Sequence, residues 1–429
     1  MHGAQPWDNS ITQINLNNNN NATGSFNQAL PCSYVIFQNN TSVLAKNCTT
    51  GKIDIATNDA STTINKAINS TTASQLIFIN RGLYVINQPI ELQHGLTLIG
   101  ESAGQNVTNG RQGTHLWVAS GKNINALEYT KNFQGFFITV QQMFIDGNYQ
   151  NNLSTGNGIY LNVNASDFEL NNVYIDGFRT NCFLADSSFN YRIIGSTFEH
   201  CQRDGLYIKS GTDDIITSSK SLANALYGFE FGTTNGGIAA LMFIGNYIAG
   251  NLNNNMVTFN VNGAIIQGNT FQESALNPPN FHLVMQNACT QSLVVGNGFI
   301  GAGHTADAIS ITHASCSNAE IVDNSISGTY GATPLIRDSG TGTIIRNNIQ
   351  FKTENSGTAT VGSASTTVVV SHGLSYTPNI ADIHITPQGA WNSCTQWWIS
   401  TVTSTQFTIN CNVAPTASSL AFSWSIKRT

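Results

Sequence analysis

Charged side chains are scarce in this sequence. Asp, Glu, Lys and Arg make up 9% of its 429 residues, whereas globular proteins usually contain about 25%. The net charge of −6 is small for this length and provides no basic surface that would bind nucleic acid. No apolar run approaches the ~20 residues of a membrane span. Hydrophobic residues reach 41%, which is too many for a disordered chain.

An export signal and metal-binding cysteine motifs are also missing. The opening residues, "MHGAQPWDNS", lack a basic segment followed by an apolar one. We therefore expect either a mature chain or another export route, such as assembly into a virion. No cysteine lies in a CxxC arrangement, which argues against zinc, and we expect no bound metal from such a motif.

The eight cysteines fall instead into four couples that are close in sequence. We predict one disulfide within each couple: Cys32 with Cys48, Cys182 with Cys201, Cys289 with Cys316, and Cys394 with Cys411. Disulfides persist in oxidising surroundings, so they predict an extracellular protein that is secreted or lies on a virion or cell surface. Eight Asn-x-Ser/Thr sequons fit the same setting: Asn21, Asn39, Asn40, Asn47, Asn69, Asn106, Asn152 and Asn164.

One short pattern recurs through the middle of the chain, an amide followed two positions later by an aromatic residue or Ile. Examples are "GNYIAGN", "GNTFQES" and "GNGFIGA". Anchoring the pattern on its amide, or on Ser where the amide is replaced, gives repeats 23 to 30 residues apart: Gln142, Asn172, Ser196, Ser219, Asn246, Asn269, Asn297, Asn324 and Asn347. A period in this range is typical of a solenoid, a propeller or an array.

Within each repeat, short alternating runs such as "GIYLN" and "GLYIK" predict strands, and no helical stretch is present. This combination predicts an all-β, single-stranded parallel β-helix. Each coil of about 25 residues would contribute three short strands that pair with the next coil ~4.8 Å away. The repeated amide would hydrogen-bond its equivalents in neighbouring coils, as stacked Asn and Gln ladders do.

Residues 57–102 carry a short amphipathic pattern around Ala60 to Asn69, then strand patterns at Gly82-Leu83-Tyr84 and at Leu96 to Ser102. This stretch resembles the opening of the pectin-lyase-like right-handed β-helix superfamily, particularly its pectate-lyase-like and viral tailspike branch. The resemblance covers roughly residues 57–352 and implies a right-handed β-helix capped by an N-terminal helix. It also implies a saccharide cleft on one sheet, and by analogy with tailspikes a homotrimer.

We divide the chain into three parts. Residues 1–56 are predicted to form a flexible arm and a small hairpin held by Cys32 and Cys48. Residues 57–352 form the β-helix, and residues 358–429 alternate like a small β-sandwich. Four tryptophans in this last part either stack on sugars or pack a core: Trp391, Trp397, Trp398 and Trp424.

The strand that begins "GIYLN" recurs in successive repeats, and alternation assigns its side chains to opposite faces. Two exposed columns are predicted: Tyr160, Leu184, Tyr207, Glu230, Thr258 and His282 in one, and Asn162, Asp186, Lys209, Gly232 and Asn260 in the other. From this sheet and the adjoining turns we predict four substrate-binding residues: Tyr160, Arg203, Tyr207 and His282.

Charge is concentrated on about two coils, because residues 186–230 hold ten charged side chains in 45 positions. Glycoside hydrolysis needs two carboxyl groups about 5 to 9.5 Å apart, and coils ~4.8 Å apart bring such pairs within reach. One carboxyl would protonate the leaving oxygen, and the other would attack or activate water. The predicted catalytic residues are Asp186, Lys209, Asp213, Asp214 and Glu230.

Several functions fit this cluster. A hydrolase would need no cofactor, whereas a lyase would use Lys209 or Arg203 as its base and carboxylates to hold Ca²⁺. The polygalacturonase-type motifs of the resembling superfamily are not reproduced. Our leading hypothesis is a β-helix that binds polysaccharide and degrades it. The alternatives are a non-catalytic glycan-binding adhesin or viral attachment protein, and a rigid spacer with recognition confined to the C-terminal part.

Overall fold

The computed structural model describes residues 32–70, 75–104, 113–274, 279–331, 335–390, 393–416 and 418–428. The first 31 residues of the predicted arm, the sequons Asn21 and Asn106, and Trp391 lie outside these ranges. In the part of the chain that is described, no helix is long and apolar enough to cross a membrane.

The chain winds into stacked coils with three faces, which we call sheets 1, 2 and 3. Sheet 1 contains ten parallel strands: Ile90–Glu91, Leu127–Tyr129, Ile159–Leu161, Phe183–Ala185, Leu206–Ile208, Tyr227–Phe231, Asn254–Phe259, Phe281–Gln286, Asp307–Ile311 and Ile336–Asp338. Four short strands form a small sheet between sheets 1 and 2: Ser188–Phe189, Gly211–Thr212, Ile238–Ala239 and Val261–Asn262.

Sheets 2 and 3 meet at a sharp corner. The strands of sheet 2 are Gln75–Ile79, Leu96–Gly100, Arg192–Ile194, Ile215–Thr217, Met242–Ile244, Ile265–Gln267, Leu293–Val295, Glu320–Val322 and Ile344–Arg346. Those of sheet 3 are Gly82–Ile86, Thr114–Val118, Thr197–Glu199, Lys220–Leu222, Tyr247–Ala249, Thr270–Gln272, Gly298–Ala302 and Ser325–Thr329. Two long strands, Ile138–Asp146 and Phe168–Asp176, run through both sheets. The predicted parallel β-helix is confirmed.

The corner between sheets 2 and 3 is made by one residue per coil in the left-handed backbone region. Its φ lies between 52° and 66° at every position of this set: Gln142, Asn172, Gly195, Ser218, Gly245, Gly268, Gly296, Asp323 and Asn347. Glycine, asparagine and aspartate tolerate this region best, which explains why they dominate the set. The corner therefore fixes where each coil bends.

The residue that follows the corner forms the predicted amide ladder. Asn246, Asn269, Asn297 and Asn324 are buried, and the backbone N–H of each donates to the side-chain oxygen of the next member, at 2.8–3.1 Å. The last member is Asn348. The predicted register is wrong by one residue at three positions, which are corner residues instead: Gln142, Asn172 and Asn347.

Both ends of the solenoid are covered. Helix Ala60–Asn69 closes the N-terminal end, as predicted, and the carboxylate of Asp59 caps it by accepting the Thr62 N–H at 2.6 Å. Ile64 and Ile68 on this helix are fully buried in the core of the first coils. Three antiparallel strands precede the helix: Tyr34–Asn39, Ser42–Asn47 and Ile53–Thr57.

Two small antiparallel sheets follow the last coil, which confirms the C-terminal β-sandwich of the predicted fold class. Their strands are Glu354–Val361, Ile383–Pro387 and Leu420–Lys427 in one, and Thr367–Ser371, Trp397–Ser400 and Gln406–Cys411 in the other, with a 3₁₀ helix at Ile380–Asp382. Arg428 joins this module to the solenoid through an ion pair with Asp338 at 2.5 Å. The domain boundaries drawn from the sequence stay a prediction.

Three of the four predicted disulfides are present: Cys32–Cys48, Cys182–Cys201 and Cys394–Cys411. The fourth prediction is wrong, because Cys289 and Cys316 are buried free thiols. Each thiol is satisfied by a backbone carbonyl instead. The Cys289 Sγ donates to Gln286 O at 3.2 Å, and the Cys316 Sγ donates to Asn287 O at 2.9 Å.

We expect the ladder to contribute strongly to stability. Asn297→Ala would leave two donors of Asn269, its backbone N–H and its amide, without their shared acceptor. Buried orphaned donors cost about 1–3 kcal/mol each, so we expect the free energy of unfolding to fall by about 3 kcal/mol in a denaturant titration. The exposed Gln267 in the adjoining strand is the control, and Gln267→Ala should change it by less than about 0.5 kcal/mol. Equal effects of the two changes would contradict this role.

Candidate active site

The first predicted column of sheet 1 follows the predicted register through four coils, but Tyr207 and Glu230 are buried and not exposed as predicted. Backbone pairing aligns Tyr160 with Leu184, Leu184 with Tyr207, and Tyr207 with Glu230. Alternation therefore does bring residues about two dozen positions apart onto one face. The second column brings Asp186 beside Lys209 in the same way.

The column departs from the prediction after Glu230. Val257 and Val284 take the next two places, because the strand of Val257 lies one residue out of step with the predicted alignment and the strand of Val284 lies two residues out of step. The one-residue offset displaces Thr258 and Asn260. His282 is therefore not a substrate-binding residue: it has no exposed surface, and burial lowers its pKa to about 4.

Asp186 is the centre of a polar group that spans three coils. The Tyr160 hydroxyl donates to its Oδ2 at 2.6 Å, and the Lys209 ammonium donates to its Oδ1 at 2.6 Å. Burial and this hydrogen bond raise the pKa of Tyr160 to about 12, so the phenol stays protonated as a donor. An ammonium and a phenol are suitable partners for a carboxylate anion. The structure thus brings together three of the predicted site residues.

Glu230 lies one coil beyond Lys209 and interacts with a second acid, Asp204. Asp204 has no exposed surface and Glu230 is only 6% exposed. Burial raises the pKa of both carboxyl groups, and the negative charge and hydrogen bond of Asp204 raise that of Glu230 further. Two adjacent buried carboxyl groups cannot both ionise readily, so the pair retains one proton more readily than two isolated acids would.

Arg203 and two tyrosines surround this acid pair. The Arg203 Nε lies 3.3 Å from Asp204 Oδ2, and its guanidinium lies over the Tyr207 ring, 5.6 Å from the centroid. Burial raises the pKa of Tyr207 to about 12. Tyr227, in the strand of Glu230, donates its backbone N–H to Asp204 Oδ1 at 3.2 Å. Arg203 and Tyr207 thus meet at the acid pair.

Asp213 and Asp214 lie outside this group, which corrects the prediction of a single catalytic cluster. They follow the Lys209 strand at the edge of sheet 1 that leads to sheet 2, whereas Asp204 precedes that strand at the other edge. Asp213 is exposed, but Asp214 is fully buried and accepts from the Ser188 hydroxyl at 2.5 Å and the Tyr191 N–H at 3.1 Å. Asp214 therefore has a structural role.

Asp204 is the site residue that the sequence prediction missed. A signal for it exists in the sequence, because the residue before the strand is Asn in "NGIYL" and "NCFLA" but Asp in "DGLYI". These residues, Asn157, Asn181 and Asp204, are stacked in successive coils. The change from asparagine to aspartate within this stacked column therefore distinguishes position 204 in the sequence.

An open cavity of about 450 Å³, with a lining more apolar than polar, lies at the same edge of sheet 1 near Asn157. Asn125, Asn157, Glu128 and Thr180 are among the residues that line it. Amide, hydroxyl and carboxylate groups are the hydrogen-bonding partners that sugar hydroxyls need. The cavity therefore extends the candidate site along the solenoid axis.

The tryptophans of the C-terminal part are divided between core and surface. Trp424 is buried and packs edge-on against Phe407, with ring centroids 5.6 Å apart. Trp397 lies 6.1 Å from the ring of Phe422. Trp398 is 49% exposed, which leaves it as the one described tryptophan of this part with a largely free face.

A separate group on sheet 3 has the donor types of a metal site. Asp176, Glu199 and His200 offer ligand atoms within 4.8 Å of one another. The His200 Nδ1 lies 2.9 Å from an Asp176 oxygen, and this hydrogen bond raises the pKa of His200. The His200 Nε2 also lies 3.7 Å from a Glu199 oxygen, so the imidazole is within reach of both acids.

Comparison with known proteins agrees with the architecture. The model of a right-handed β-helix region matches residues 181–350, and the model described as rhamnogalacturonase A/epimerase, pectate lyase-like, matches residues 52–262. No curated protein matches the sequence. The coils, the capping helix and these matches define a right-handed parallel β-helix protein. Each model matches less than half of the chain, and the chain is similar to pectate-lyase-like β-helix proteins over those residues.

Solved structures resemble the fold at low sequence identity. The ORF18 protein of Geobacillus virus E2 is 14% identical with a TM-score of 0.51, and the match covers 87% of this chain and 85% of that chain. A DFA-IIIase variant from Arthrobacter chlorophenolicus A6 in complex with DFA-III is 14% identical with a TM-score of 0.52, covering 68% and 80%. The TM-scores show a shared fold, and at such low identities the likeness shows the fold alone.

Burial of Asp214 predicts a pH-dependent loss of stability. Desolvation raises its pKa from 3.8 to about 7, so the folded state keeps the proton longer than the unfolded state does. The free energy of unfolding should therefore fall as pH rises from about 4 through 7. Asp214→Asn should remove this loss and raise stability by roughly 1–3 kcal/mol at pH 8, but not at pH 4, in denaturant titrations. The exposed Asp213→Asn is the control. A gain that is the same at both pH values would contradict the prediction.

Proposed function

We propose that this protein is a glycoside hydrolase that degrades a polysaccharide bound along sheet 1. The observation that carries the proposal is the buried acid pair of Glu230 and Asp204, two coils from the carboxylate of Asp186, and we assign the proton of this pair to Glu230. Enzymes that cleave glycosidic bonds need one carboxyl as an acid and a second as an anion. The buried acid pair at Glu230 and the hydrogen-bonded carboxylate of Asp186 meet that need.

In this proposal Glu230 protonates the leaving oxygen of the glycosidic bond, and Asp186 activates water on the opposite side of the sugar. Two coils separate the residues by about 10 Å along the axis, which is about twice the separation of the carboxyl groups in retaining enzymes. A separation of about 6.5–9.5 Å belongs to inverting hydrolysis, because a water must fit between acid and base. The spacing therefore favours inversion of the anomeric centre.

The remaining polar residues have supporting roles in this scheme. Lys209 and Tyr160 hold the Asp186 carboxylate in one orientation through their hydrogen bonds at 2.6 Å. Tyr207 and Arg203 line the approach to Glu230 and offer a ring face and a guanidinium to the sugar. The cavity lined by Asn125, Asn157 and Thr180 would hold neighbouring sugar units.

The geometry favours hydrolysis over elimination. A lyase needs a neutral base, but Lys209 is engaged with Asp186 as an ion pair at 2.6 Å, and Arg203 cannot be deprotonated in proteins. Ca²⁺, which a lyase would bind through carboxylates, belongs to that alternative. Three disulfides support an extracellular, secreted or virion-surface location.

The proposal is tested by incubating the wild type, Glu230→Gln and Asp186→Asn with a panel of neutral and acidic polysaccharides. We expect the wild type to release reducing ends from at least one of them. Loss of a general acid or base typically costs 10²–10⁴-fold, so each variant should be slower by about 100-fold or more. Affinity electrophoresis should show that both variants still bind the glycan.

Asp213→Asn is the matched control, because its carboxyl is exposed and lies on the turn at the other edge of the sheet. It should retain wild-type activity within about twofold, as surface substitutions usually do. Ultraviolet absorbance from an unsaturated uronate, abolished by a chelator, would reassign the site to a Ca²⁺-dependent lyase. Binding of the same glycan by all forms, with no cleavage by any, would leave an adhesin or attachment role.

A further inference from the structure

A second file of stacked amides runs along the edge of sheet 1 that holds the candidate site. Asn157 donates its backbone N–H and its side-chain amide to Asn125 Oδ1, at 3.0 and 2.9 Å. Asn181 makes the same two bonds to Asn157 Oδ1, both at 3.1 Å. We call Asn125, Asn157, Asn181 and Asp204 the site-edge file.

Asp204 occupies the next place in the site-edge file, but it makes only one of the two hydrogen bonds that Asn157 and Asn181 make to the preceding residue. Its backbone N–H donates to Asn181 Oδ1 at 3.3 Å, and its Oδ1 accepts from Tyr227 N at 3.2 Å. A carboxylate has no N–H, so the side-chain bond that Asn157 and Asn181 make at this point is lost. An asparagine here would suit the fold better than the acid does.

The acid is also costly at this depth. Asp204 has no exposed surface, and its Oδ2 has no hydrogen-bond partner of good geometry. The Oε2 of Glu230 is likewise buried without a partner. Buried carboxyl groups are ordinarily fully paired. A buried acid pair in which Asp204 Oδ2 has only the Arg203 Nε, at 3.3 Å, therefore needs an explanation other than folding.

We propose that Asp204 is a positioning residue, which keeps the Glu230 carboxyl protonated and directs it toward the face of sheet 1. This inference rests on the proposed function of Glu230 as the acid. Asp204 touches no substrate in this scheme. Its negative charge makes ionisation of Glu230 unfavourable, and its oxygen accepts the Glu230 proton in a hydrogen bond.

The other charged and titratable groups around the acid pair also influence the ionisation of Glu230 and Asp204, or are influenced by it. Arg203 stabilises both anions, and Lys209 favours ionisation of Glu230. Tyr207 and Tyr227 stay neutral, because burial and the nearby carboxyl groups raise the pKa of each phenol. Among the described neighbours, Asp204 is thus the one whose charge opposes ionisation of Glu230. Removal of that charge should therefore lower the pKa of Glu230.

Asp204→Asn is the decisive variant, because it restores the residue that the site-edge file uses elsewhere. The titration of Glu230 is followed by carbon-detected NMR of its side-chain carboxyl, assigned by its absence in Glu230→Gln. We expect the midpoint to fall by about 1 pH unit or more, as loss of an adjacent like charge requires. Thermal stability should be retained. An unchanged midpoint in the folded variant would overturn the proposal.

Asn181→Asp is the matched control, since it places the same acid in the same file one coil from Asp204. It should lower thermal stability and move the Glu230 midpoint less than Asp204→Asn does, while a shift equal in size would contradict a specific role for Asp204. Arg203→Gln gives an independent test if Asp204→Asn does not fold. Removal of this cation should raise the Glu230 midpoint, and an unchanged or lower midpoint would count against the acid pair.

The titration also separates this inference from the proposed function. If no form degrades any glycan but Asp204→Asn still lowers the Glu230 midpoint, the positioning role stands and the hydrolase proposal fails. If the wild type is active, the alkaline limb of its pH–rate profile should move to lower pH in Asp204→Asn by the same amount as the midpoint. Activity with an unmoved limb and midpoint would overturn the positioning role alone.

Discussion

The structure depends on the register between one coil and the next. Parallel pairing holds neighbouring coils together, but backbone hydrogen bonds alone do not choose which residue of one coil faces which residue of the next. The left-handed corner residue and the buried amide after it determine this register. Each ladder amide accepts the backbone N–H and the side-chain amide of its neighbour, as Asn297 does from Asn269 at 2.9 Å each. A slip of one residue would leave these donors unpaired in the core, where the cost is high.

The same register creates the candidate site. Tyr160, Asp186 and Lys209 are far apart in sequence, yet stacking places them within hydrogen-bond distance across three coils. Charge is otherwise rare in this chain, and a carboxyl on a stacked column is close to its neighbours on both sides. One acid therefore affects the pKa of the next: burial raises the pKa of Glu230, and the negative charge of Asp204 raises it further. A solenoid can adjust the acidity of a surface group by changing a single residue one coil away.

The fold could be predicted from the sequence because its cause is local and repeated. The amide pattern, the alternating strands and the capping helix at Ala60–Asn69 each appear in the sequence in the form that the structure shows. The register beyond Glu230 could not be predicted, because strands such as Phe281–Gln286 are longer and place Val284 in the column, which leaves the buried His282 two positions outside it. The predicted disulfide between Cys289 and Cys316 failed for a different reason, because the two thiols are in hydrogen-bond contact but are not bonded to each other. Closeness in sequence does not reveal whether a backbone carbonyl satisfies each thiol.

The site was harder to predict than the fold because its main signal is an exception to the repeat. Asn125, Asn157 and Asn181 show what the site-edge file requires, and Asp204 departs from it by one atom. That departure keeps the backbone contacts of the file and gives up a side-chain hydrogen bond, so it leaves the coil intact while it introduces a buried charge. In a repetitive fold the structural residues define a rule. A residue that has the same shape as the repeated residue but a different charge, as Asp204 has in a column of asparagines, is therefore a strong indication of function.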